Sequence, residues 1–394
     1  MKKHQPKIEK LIAELCPNGV EFNELKDVFD IKNGYTPSKS NSEYWKDGKV
    51  PWFRMEDIRA KGHVLSDSIQ HIPIVAVKGG KLFPANSILI ATSATIGEHA
   101  LITVPHLSNQ RFSSLALKLE YQDRFDMRFV HYYCFVLDEW CQKNVSKSSF
   151  ASVDMGGFKK FKIPLPPLAI QEEIVKILDS FTELETELET ELETRKNQYE
   201  YYRDNLLLSG GEQSVCKLGD IAKNLDSKRK PVTRSARKSG VIPYYGASGI
   251  VDHVSDYIFD GNYLLVSEDG ANLLARNTPI AFSITGKTWV NNHAHILQFE
   301  SAVTQRFVEI YLNSIDLSSF ISGAAQPKLN QENLNKIEIP LPSLPEQERI
   351  VSILNQFDTL VNDISIGLPA ELSARRSQYE YYRGKLLTFG ELEK

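Results

Sequence analysis

A stretch of the chain occurs twice. Residues 163–178 read IPLPPLAIQEEIVKIL and residues 339–354 read IPLPSLPEQERIVSIL, with 11 of 16 positions identical. A second block follows each copy, since residues 195–207, RKNQYEYYRDNLL, match residues 375–387, RRSQYEYYRGKLL, at 9 of 13 positions. Repeats of such long period indicate duplicated domains rather than a solenoid of short units. The chain is therefore predicted to be a tandem duplication, in which each half is a long variable region followed by a proline-marked helix.

Apolar residues follow each proline cluster at helical spacing. In the first copy they recur every three or four residues from Ile170 to Leu192, and Tyr199 and Tyr202 continue the spacing. This pattern predicts a helix from about Ile170 to Leu207, roughly 55 Å long. So long a helix needs a partner, and the similar stripe in the second copy predicts an antiparallel pair. A kink or restart is expected near Pro369, because proline removes a backbone donor.

A tetrapeptide repeat lies inside the first predicted helix. Residues 183–194 read ELET three times, and the second helix has no such repeat. The acidic run is compatible with a solvated helix surface. It is also compatible with a molecular spacer, since one tetrapeptide adds about 6 Å of helix and about 40° of rotation. Both interpretations stay open at this point.

Size and composition set limits on the class of protein. With 394 residues and 42% hydrophobic content, the chain can bury two cores. No apolar run approaches the roughly 20 residues of a membrane span, and the Lys-rich start lacks the apolar core of a signal peptide, so a cytoplasmic protein is expected. The four cysteines form no CxxC pair or zinc-ligand spacing. They are predicted to be buried, with neither disulfide nor metal.

The net charge of −4 hides an uneven distribution. Residues 1–162 carry 23 Lys/Arg against 18 Asp/Glu, whereas residues 163–203 carry 4 against 10. The second variable region is nearly neutral, but its cations are clustered between Lys228 and Lys238. Basic patches of this kind neutralise phosphates. The distribution therefore favours nucleic-acid binding by the variable regions and not by the first helix.

Both variable regions read as mixed α+β domains. Short β-branched runs alternate with Gly, Pro and Asn, as in LFPANSILIATSATIGEHALI of the first region and NYLLVSED, PIAFSIT and HAHILQFE of the second. The predicted fold is therefore α+β, with two globular domains that contain β-sheets, joined by two long antiparallel helices in a coiled coil. The expected boundaries are 1–162 and 209–338 for the globular domains and 163–208 and 339–394 for the long helices.

Catalytic motifs are missing from the sequence. We find no NPPY-like motif, no glycine-rich nucleotide turn and no HExxH. The ending Gly286-Lys287-Thr288 resembles a phosphate-binding loop, but it lacks the leading glycine and a following helix, so a β-turn at 285–287 is expected instead. His293 and His295 are predicted to share one strand face, and without a third ligand no metal is assigned to them. The chain is thus predicted to be a binding protein that is not itself an enzyme.

Candidate DNA contacts lie on predicted turns. Cations and amides suit phosphates, and Arg, Lys, Asn and Gln suit base edges. Gly, Asn, Thr and Ser also dominate ordinary turns, which is the competing explanation for any single residue. The candidates are Thr36, Ser38, Lys39, Arg54, Thr95, Gly97, Asn109, Gln110 and Arg111 in the first region, and Lys228, Arg229, Lys230, Arg234, Arg237, Lys238, Tyr244, Tyr245, Ser248, Lys287 and Asn292 in the second.

The duplicated proline and QYEYYR blocks, the tetrapeptide repeat and the turn motifs NGYTPS, ATIG, SNQRF and PYYGASG resemble the DNA-specificity subunit of type I restriction-modification enzymes. The resemblance covers nearly the whole chain. It implies that each variable region reads one half of a split double-stranded DNA target, while the helices form a spacer and dock two modification subunits. Restriction subunits are further implied partners. The spacer and docking residues would include Leu184, Leu188, Leu192, Tyr199, Tyr202, Tyr379 and Tyr382.

The same resemblance implies no cofactor in this chain. S-adenosylmethionine would bind to the adenine-methylating modification subunits, and ATP and Mg²⁺ to the motor subunits. Because the two variable regions differ strongly from each other, an asymmetric target is expected. The main alternative is a stand-alone DNA-binding regulator with two recognition domains. A scaffold with peptide-binding globular halves is a second alternative, which the basic turn cluster disfavours.

Overall fold

The computed structural model describes residues 5–146, 151–208, 214–323 and 326–392. The helices are α1 Gln5–Leu15, α2 Leu25–Val28, α3 Met55–Lys61, α4 Met127–Lys143, α5 Met155–Lys160, α6 Leu168–Leu208, α7 Leu218–Ile221, α8 Asn272–Ala275, α9 Ala302–Ser314, α10 Gln331–Asn335, α11 Leu344–Asn362 and α12 Leu368–Leu386. The strands are β1 Glu21–Glu24, β2 Phe29–Asn33, β3 Val50–Phe53, β4 Val64–Leu65, β5 His71–Ile72, β6 Ser87–Ala91, β7 His99–Ile102, β8 Leu107–Ser108, β9 Phe112–Leu117, β10 Lys162–Leu165, β11 Ser214–Lys217, β12 Lys223–Asn224, β13 Ser239–Gly246, β14 Gly249–Val254, β15 Phe259–Ser267, β16 Ala281–Val290, β17 Ala294–Gln298 and β18 Glu338–Leu341.

The chain forms two compact units that do not follow its linear order. The first unit consists of residues 1–187 and 373–394, and the second of residues 188–372. Each therefore contains one variable region together with parts of both long helical segments. The sequence-based boundaries instead separate the variable regions from the long helices, and they stay a prediction. The boundary at residue 209 lies outside the described residues.

The first unit contains two larger sheets beside the two-stranded sheet of β1 and β10. Strands β2, β9, β6, β7 and β4 form one sheet in that order, and β5, β3 and β8 form the other. The strands β6 and β7 are buried along their whole length, as their unbroken β-branched and aliphatic runs predict. Helix α4 packs against this sheet and contributes Phe129, Val130 and Leu137 to the core.

The second unit has a single larger sheet in the order β12, β17, β15, β16, β13 and β14. Most neighbours are antiparallel, but β13 pairs with β16 in parallel. Helix α9 covers one face and buries Phe307, Val308 and Leu312. The predicted α+β class, with short strands between Gly and Pro turns, is confirmed in both units.

The duplicated blocks form the same local structure twice. In the first unit β1 pairs antiparallel with β10, and in the second β11 pairs antiparallel with β18. Gln171 and Gln347 occupy equivalent positions after these strands, and both are buried. Each donates from Nε2 to a proline carbonyl five residues earlier, at 2.7 Å in both cases. The chain therefore passes from the proline-rich strand into the helix through the same turn in both copies.

The long first helix is confirmed, since α6 runs without interruption from Leu168 to Leu208. The expected restart in the second copy is also confirmed: α11 ends at Asn362 and α12 begins at Leu368, with Pro369 in its first turn. Gly367 lies in the junction, where an added Cβ would approach the carbonyl oxygen of Thr359 to 2.5 Å.

The helices pack as antiparallel neighbours inside the first unit. Phe181 of α6 stacks on Tyr382 of α12 with ring centroids 5.6 Å apart. Four residues further along α6, Glu185 accepts an ion-pair contact from Arg376, six residues earlier in α12. The second unit repeats the stack between Tyr202 of α6 and Phe357 of α11 at 5.7 Å. In each stack the Phe lies three residues after the first block of one copy, and the Tyr belongs to the second block of the other copy.

Three local predictions are wrong. Residues 285–287 do not form a turn, because they lie within β16 and pair with β15; Gly286, with a φ of 76°, lets the strand continue. His293 precedes β17, so only His295 belongs to a strand. Cys16 and Cys216 are partly exposed and not buried as expected.

Among the described residues, no helix is both long and apolar enough to cross a membrane.

Candidate nucleic-acid interface

A cleft in the first unit begins where two parallel strands end together. Trp52 and Phe53 of β3 pair in parallel with Leu107 and Ser108 of β8. Because parallel neighbours end at the same edge of a sheet, the next residue of each strand, Arg54 and Asn109, emerges on the same side. The amide of Asn109 donates to the carbonyl of Phe53 at 3.1 Å and fixes this arrangement.

The cleft gathers residues that are far apart in sequence. Seven of the nine candidates of the first region line one open depression of about 630 Å³. They are Thr36, Lys39, Arg54, Thr95, Asn109, Gln110 and Arg111. The Thr36 hydroxyl donates to Oε1 of Gln110, which ties the two loops together. Ordinary turn chemistry does not explain this convergence.

The charge of the cleft is positive. Lys39, Arg54, Arg59 and Arg111 line it against a single carboxylate lining residue, Glu56. The Asn109 side chain accepts a hydrogen bond from the amide of Arg111 at 3.0 Å, so this turn is held by its own side chain. Cations beside fixed amides and carboxamides suit phosphates and base edges.

Two tryptophans that the sequence reasoning missed form one wall. Trp45 and Trp52 meet edge to face with centroids 5.0 Å apart. Their indole Nε1 groups donate to the carbonyls of Ser38 and Tyr35, at 3.1 and 3.0 Å. Gln70 and Arg59 were also missed. The signal available was the placement of two of the four tryptophans only seven residues apart.

Two candidates of the first region lie outside the residues that line the cleft. The exposed Ser38 hydroxyl lies 2.8 Å from that of Ser40. Gly97 has a φ of 99°, and an added Cβ would lie 3.2 Å from Asp138. Gly97 therefore shapes the Thr95 turn by its backbone.

The basic cluster of the second unit is divided by the fold. Arg229 points inward with a side chain only 13% exposed, and its Nη1 lies 2.5 Å from Glu268 Oε2. The same atom donates to the carbonyl of Ala294 at 2.8 Å. Arg229 is thus engaged within the protein and not presented to DNA, contrary to what the linear clustering suggested.

The acceptors of Arg229 belong to a buried charged network. Ligand-type atoms of Asp226, Glu268 and His295 all lie within 4.8 Å of one another. Burial alone would raise the pKa of Glu268, but hydrogen bonds from Arg229 and Lys328 outweigh this effect and lower the pKa. His295 Nε2 contacts the carbonyl of Leu329 at 2.7 Å. Two cationic side chains already neutralise these carboxylates, so the network is organised as ion pairs.

Tyr244 and Arg237 also serve the fold. Tyr244 is 1% exposed, and its hydroxyl accepts from the amide of Val232 at 3.0 Å. The Arg237 guanidinium lies 4.3 Å from the Tyr244 ring centroid and pairs with Asp252 at 2.9 Å. Tyr244 is therefore a core residue, which contradicts its selection as a surface contact. Tyr245 is half-buried beside Phe282.

The remaining candidates of the second unit are exposed but dispersed. Lys287 lies with its Nζ 4.8 Å from the Tyr257 ring centroid, and the carbonyl of Lys230 accepts from the Trp289 indole at 2.6 Å. The exposed set comprises Lys228, Lys230, Arg234, Lys238, Ser248, Lys287 and Asn292. No single depression described in this unit unites them as the first cleft unites its residues.

The candidate spacer residues are mostly half-buried. Leu184, Leu188, Leu192, Tyr199, Tyr379 and Tyr382 are partly covered, and Tyr202 is 46% exposed. Tyr202 and Tyr382 make the Phe stacks described above. Their neighbours Tyr201 and Tyr381 point outward instead, and each is 66% exposed. These two were missed, although both occur in the duplicated YEYYR motif.

The family model for the type I restriction modification DNA specificity domain matches the chain twice, over residues 17–195 and 211–374. The chain therefore belongs to the family of type I restriction-modification DNA specificity subunits. Subunits of this family recognise DNA and are not catalytic by themselves, which confirms the predicted function and favours it over a stand-alone regulator.

Similarity extends over most of the chain. It is 46% identical over 363 residues to the Escherichia coli type I restriction enzyme EcoprrI specificity subunit, covering 88% of this chain and 89% of that protein. It is 32% identical to the E. coli EcoR124I/EcoR124II specificity subunit, covering 64% and 70%. Solved structures share the fold: a chain from a type I restriction-modification system has a TM-score of 0.66 at 15% identity, covering 94% and 98%. The Mycoplasma genitalium S subunit gives 0.55 at 16%, covering 94% and 96%.

Proposed function

We propose that the chain reads a split, asymmetric double-stranded DNA target, with one half-site for each of the regions 1–162 and 209–338. The cleft of the first unit carries this proposal, because it brings scattered polar and basic residues to one surface. The two units differ in sheet order and in surface chemistry. Different surfaces would read different base sequences, so the target would not be a palindrome.

The chain would direct other subunits to this target. Two modification subunits would dock on the duplicated helical blocks, and restriction subunits would join them. S-adenosylmethionine would be held by the modification subunits, and ATP and Mg²⁺ by the restriction subunits, with no cofactor in this chain. Its substrate, chromosomal and invading DNA, would place the complex in the cytoplasm. Methylation inside a duplex would need the adenine to be flipped out, at a cost of a few kcal/mol.

Methylome sequencing tests this function. The chain is expressed with its modification subunit in a host whose genomic DNA carries no such mark, beside a control that lacks the chain. We expect methylated adenines in a new two-part motif with a fixed gap and unequal halves. A palindromic motif would contradict the asymmetry. Identical methylomes in both strains, despite good expression of both subunits, would contradict the specificity role itself.

A further inference from the structure

The four cations of the cleft are not equivalent. The Arg54 side chain is 32% exposed, whereas that of Arg59 is 63% exposed. Lys39 and Arg111 are also exposed. The Arg54 guanidinium carbon lies 5.7 Å from the centroid of the Trp52 ring, which is itself buried. Arg54 thus lies against an inner wall of the cleft, and the other three lie nearer to solvent.

The backbone at Arg54 is held rigidly. Its amide donates to Asp57 Oδ2 at 2.6 Å, and the amide of Ile69 donates to Asp57 Oδ1 at 2.5 Å. Asp57 is fully buried. Both oxygens of the Asp57 carboxylate are therefore committed to backbone amides. It fixes the point at which β3 becomes α3 and so acts as a positioning residue for the arginine.

The guanidinium lacks a full set of internal partners. Within the described part of the chain, Arg54 Nε is buried without a hydrogen-bond partner. Its ion-pair neighbour Glu56 stands 3.7 Å away, beyond hydrogen-bond distance, on a side chain that is 63% exposed. A buried donor without an acceptor is costly. A ligand acceptor that enters the cleft would remove this cost.

We propose that Arg54 reads a guanine in the half-site of the first recognition domain, while Lys39, Arg59 and Arg111 neutralise phosphates. The guanine O6 and N7 atoms present two acceptors at the spacing of an arginine fork. A half-buried arginine with a fixed backbone is suited to such a bidentate contact, whereas exposed flexible cations suit phosphates. This inference rests on the proposed function and assigns one base-reading residue within it.

Three variants in the assembled complex with the modification subunit test the inference. Arg54→Gln removes the charge and the fork, Arg54→Lys keeps the charge and removes the fork, and Arg59→Gln is the control for a phosphate contact in the same cleft. Genomic methylation first defines the wild-type motif. Synthetic duplexes with that motif, and with each base pair changed singly, then compete for binding at several salt concentrations.

Both Arg54 variants are expected to lose discrimination at one G·C pair of one half-site, by roughly 5- to 150-fold. Discrimination at the other half-site should be unchanged. Arg59→Gln is expected to weaken binding to all duplexes equally and to reduce the salt dependence. The glutamine variant is decisive, because loss of a phosphate contact would weaken binding to all duplexes equally, whereas loss of a base contact would remove discrimination at one base pair.

Uniform weakening by Arg54→Gln, with discrimination retained at every base pair, would overturn the assignment. If Arg54→Gln abolishes methylation altogether, the competition binding still decides, since it measures discrimination without catalysis. A failure of the proposed function is distinguishable, because the wild-type chain would then produce no motif at all.

Discussion

At the scale of single residues, burial distinguishes the cations that can contact DNA from those that stabilise the fold through ion pairs. The run from Lys228 to Lys238 looks uniform in sequence, but Arg229 and Arg237 turn inward to Glu268 and Asp252. Asp226 is a local partner of Arg229. The other two acidic partners, Glu268 of Arg229 and Asp252 of Arg237, are 39 and 15 positions away in sequence, so no local pattern reveals them. In the first unit the turns that follow strands converge on one sheet edge, so seven of the nine predicted residues line the cleft.

Arg229→Gln is expected to destabilise the second unit, but it should not remove a direct contact with DNA. Removal of one partner from a buried ion pair costs about 3 kcal/mol or more, because the other charge stays buried and unpaired. The free energy of unfolding, measured in urea, should therefore fall by about that amount. Arg234→Gln is the matched control, since Arg234 is exposed and its replacement should leave stability within about 0.5 kcal/mol. Equal stability of both variants, with weaker DNA binding only for Arg229→Gln, would restore Arg229 to the interface.

At the scale of elements, periodicity predicted the long helices well. The apolar stripe and the prolines located α6 to within about two residues at each end, which is the usual uncertainty of helix boundaries. The restart at Pro369 followed from the chemistry of proline alone. The strand at 281–290 was predicted only in part, because Gly286 inside it is a residue type typical of turns. Its pairing with β15, which a single sequence does not show, keeps it extended.

Deletion of one tetrapeptide, residues 187–190, is expected to shorten the gap of the methylated motif. The helix α6 is continuous through the repeat, so the deletion removes about 6 Å, which corresponds to at most about two base pairs. The rotation of about 40° is small, so both half-sites should keep their sequences. Methylome sequencing of the variant measures the gap.

The control for this deletion keeps the length and changes the charge. Glu187→Gln with Glu193→Gln removes two exposed carboxylates from the same repeat, and the gap should stay as in the wild type. An unchanged gap in the deletion variant would show that the repeat is a solvated surface and not a spacer.

At the scale of the whole molecule, the duplication is visible in the sequence as two successive copies. The predicted antiparallel pair of helices implies an exchange between the copies, and the structure confirms it, because the second block of each copy lies in the unit that contains the first block of the other. The Phe181–Tyr382 and Phe357–Tyr202 stacks are side-chain contacts that this exchange produces. The apolar stripe predicts the buried face of each helix but not which side chains stack across the pair, so the individual partners come from the structure.

Two tyrosines of the duplicated YEYYR motif face outward on the helices. Tyr201 and Tyr381 are equally exposed at equivalent positions, and large exposed aromatic residues are typical anchors of protein interfaces. If each anchors one modification subunit, Tyr201→Ala and Tyr381→Ala should each weaken one docking site by about 30-fold or more. Native mass spectrometry should then show complexes with a single modification subunit, and the double variant should bind neither tightly. Glu200→Ala and Glu380→Ala alter the adjacent exposed positions and should leave two subunits bound. Two subunits on the double tyrosine variant would place the docking surface elsewhere on the helices.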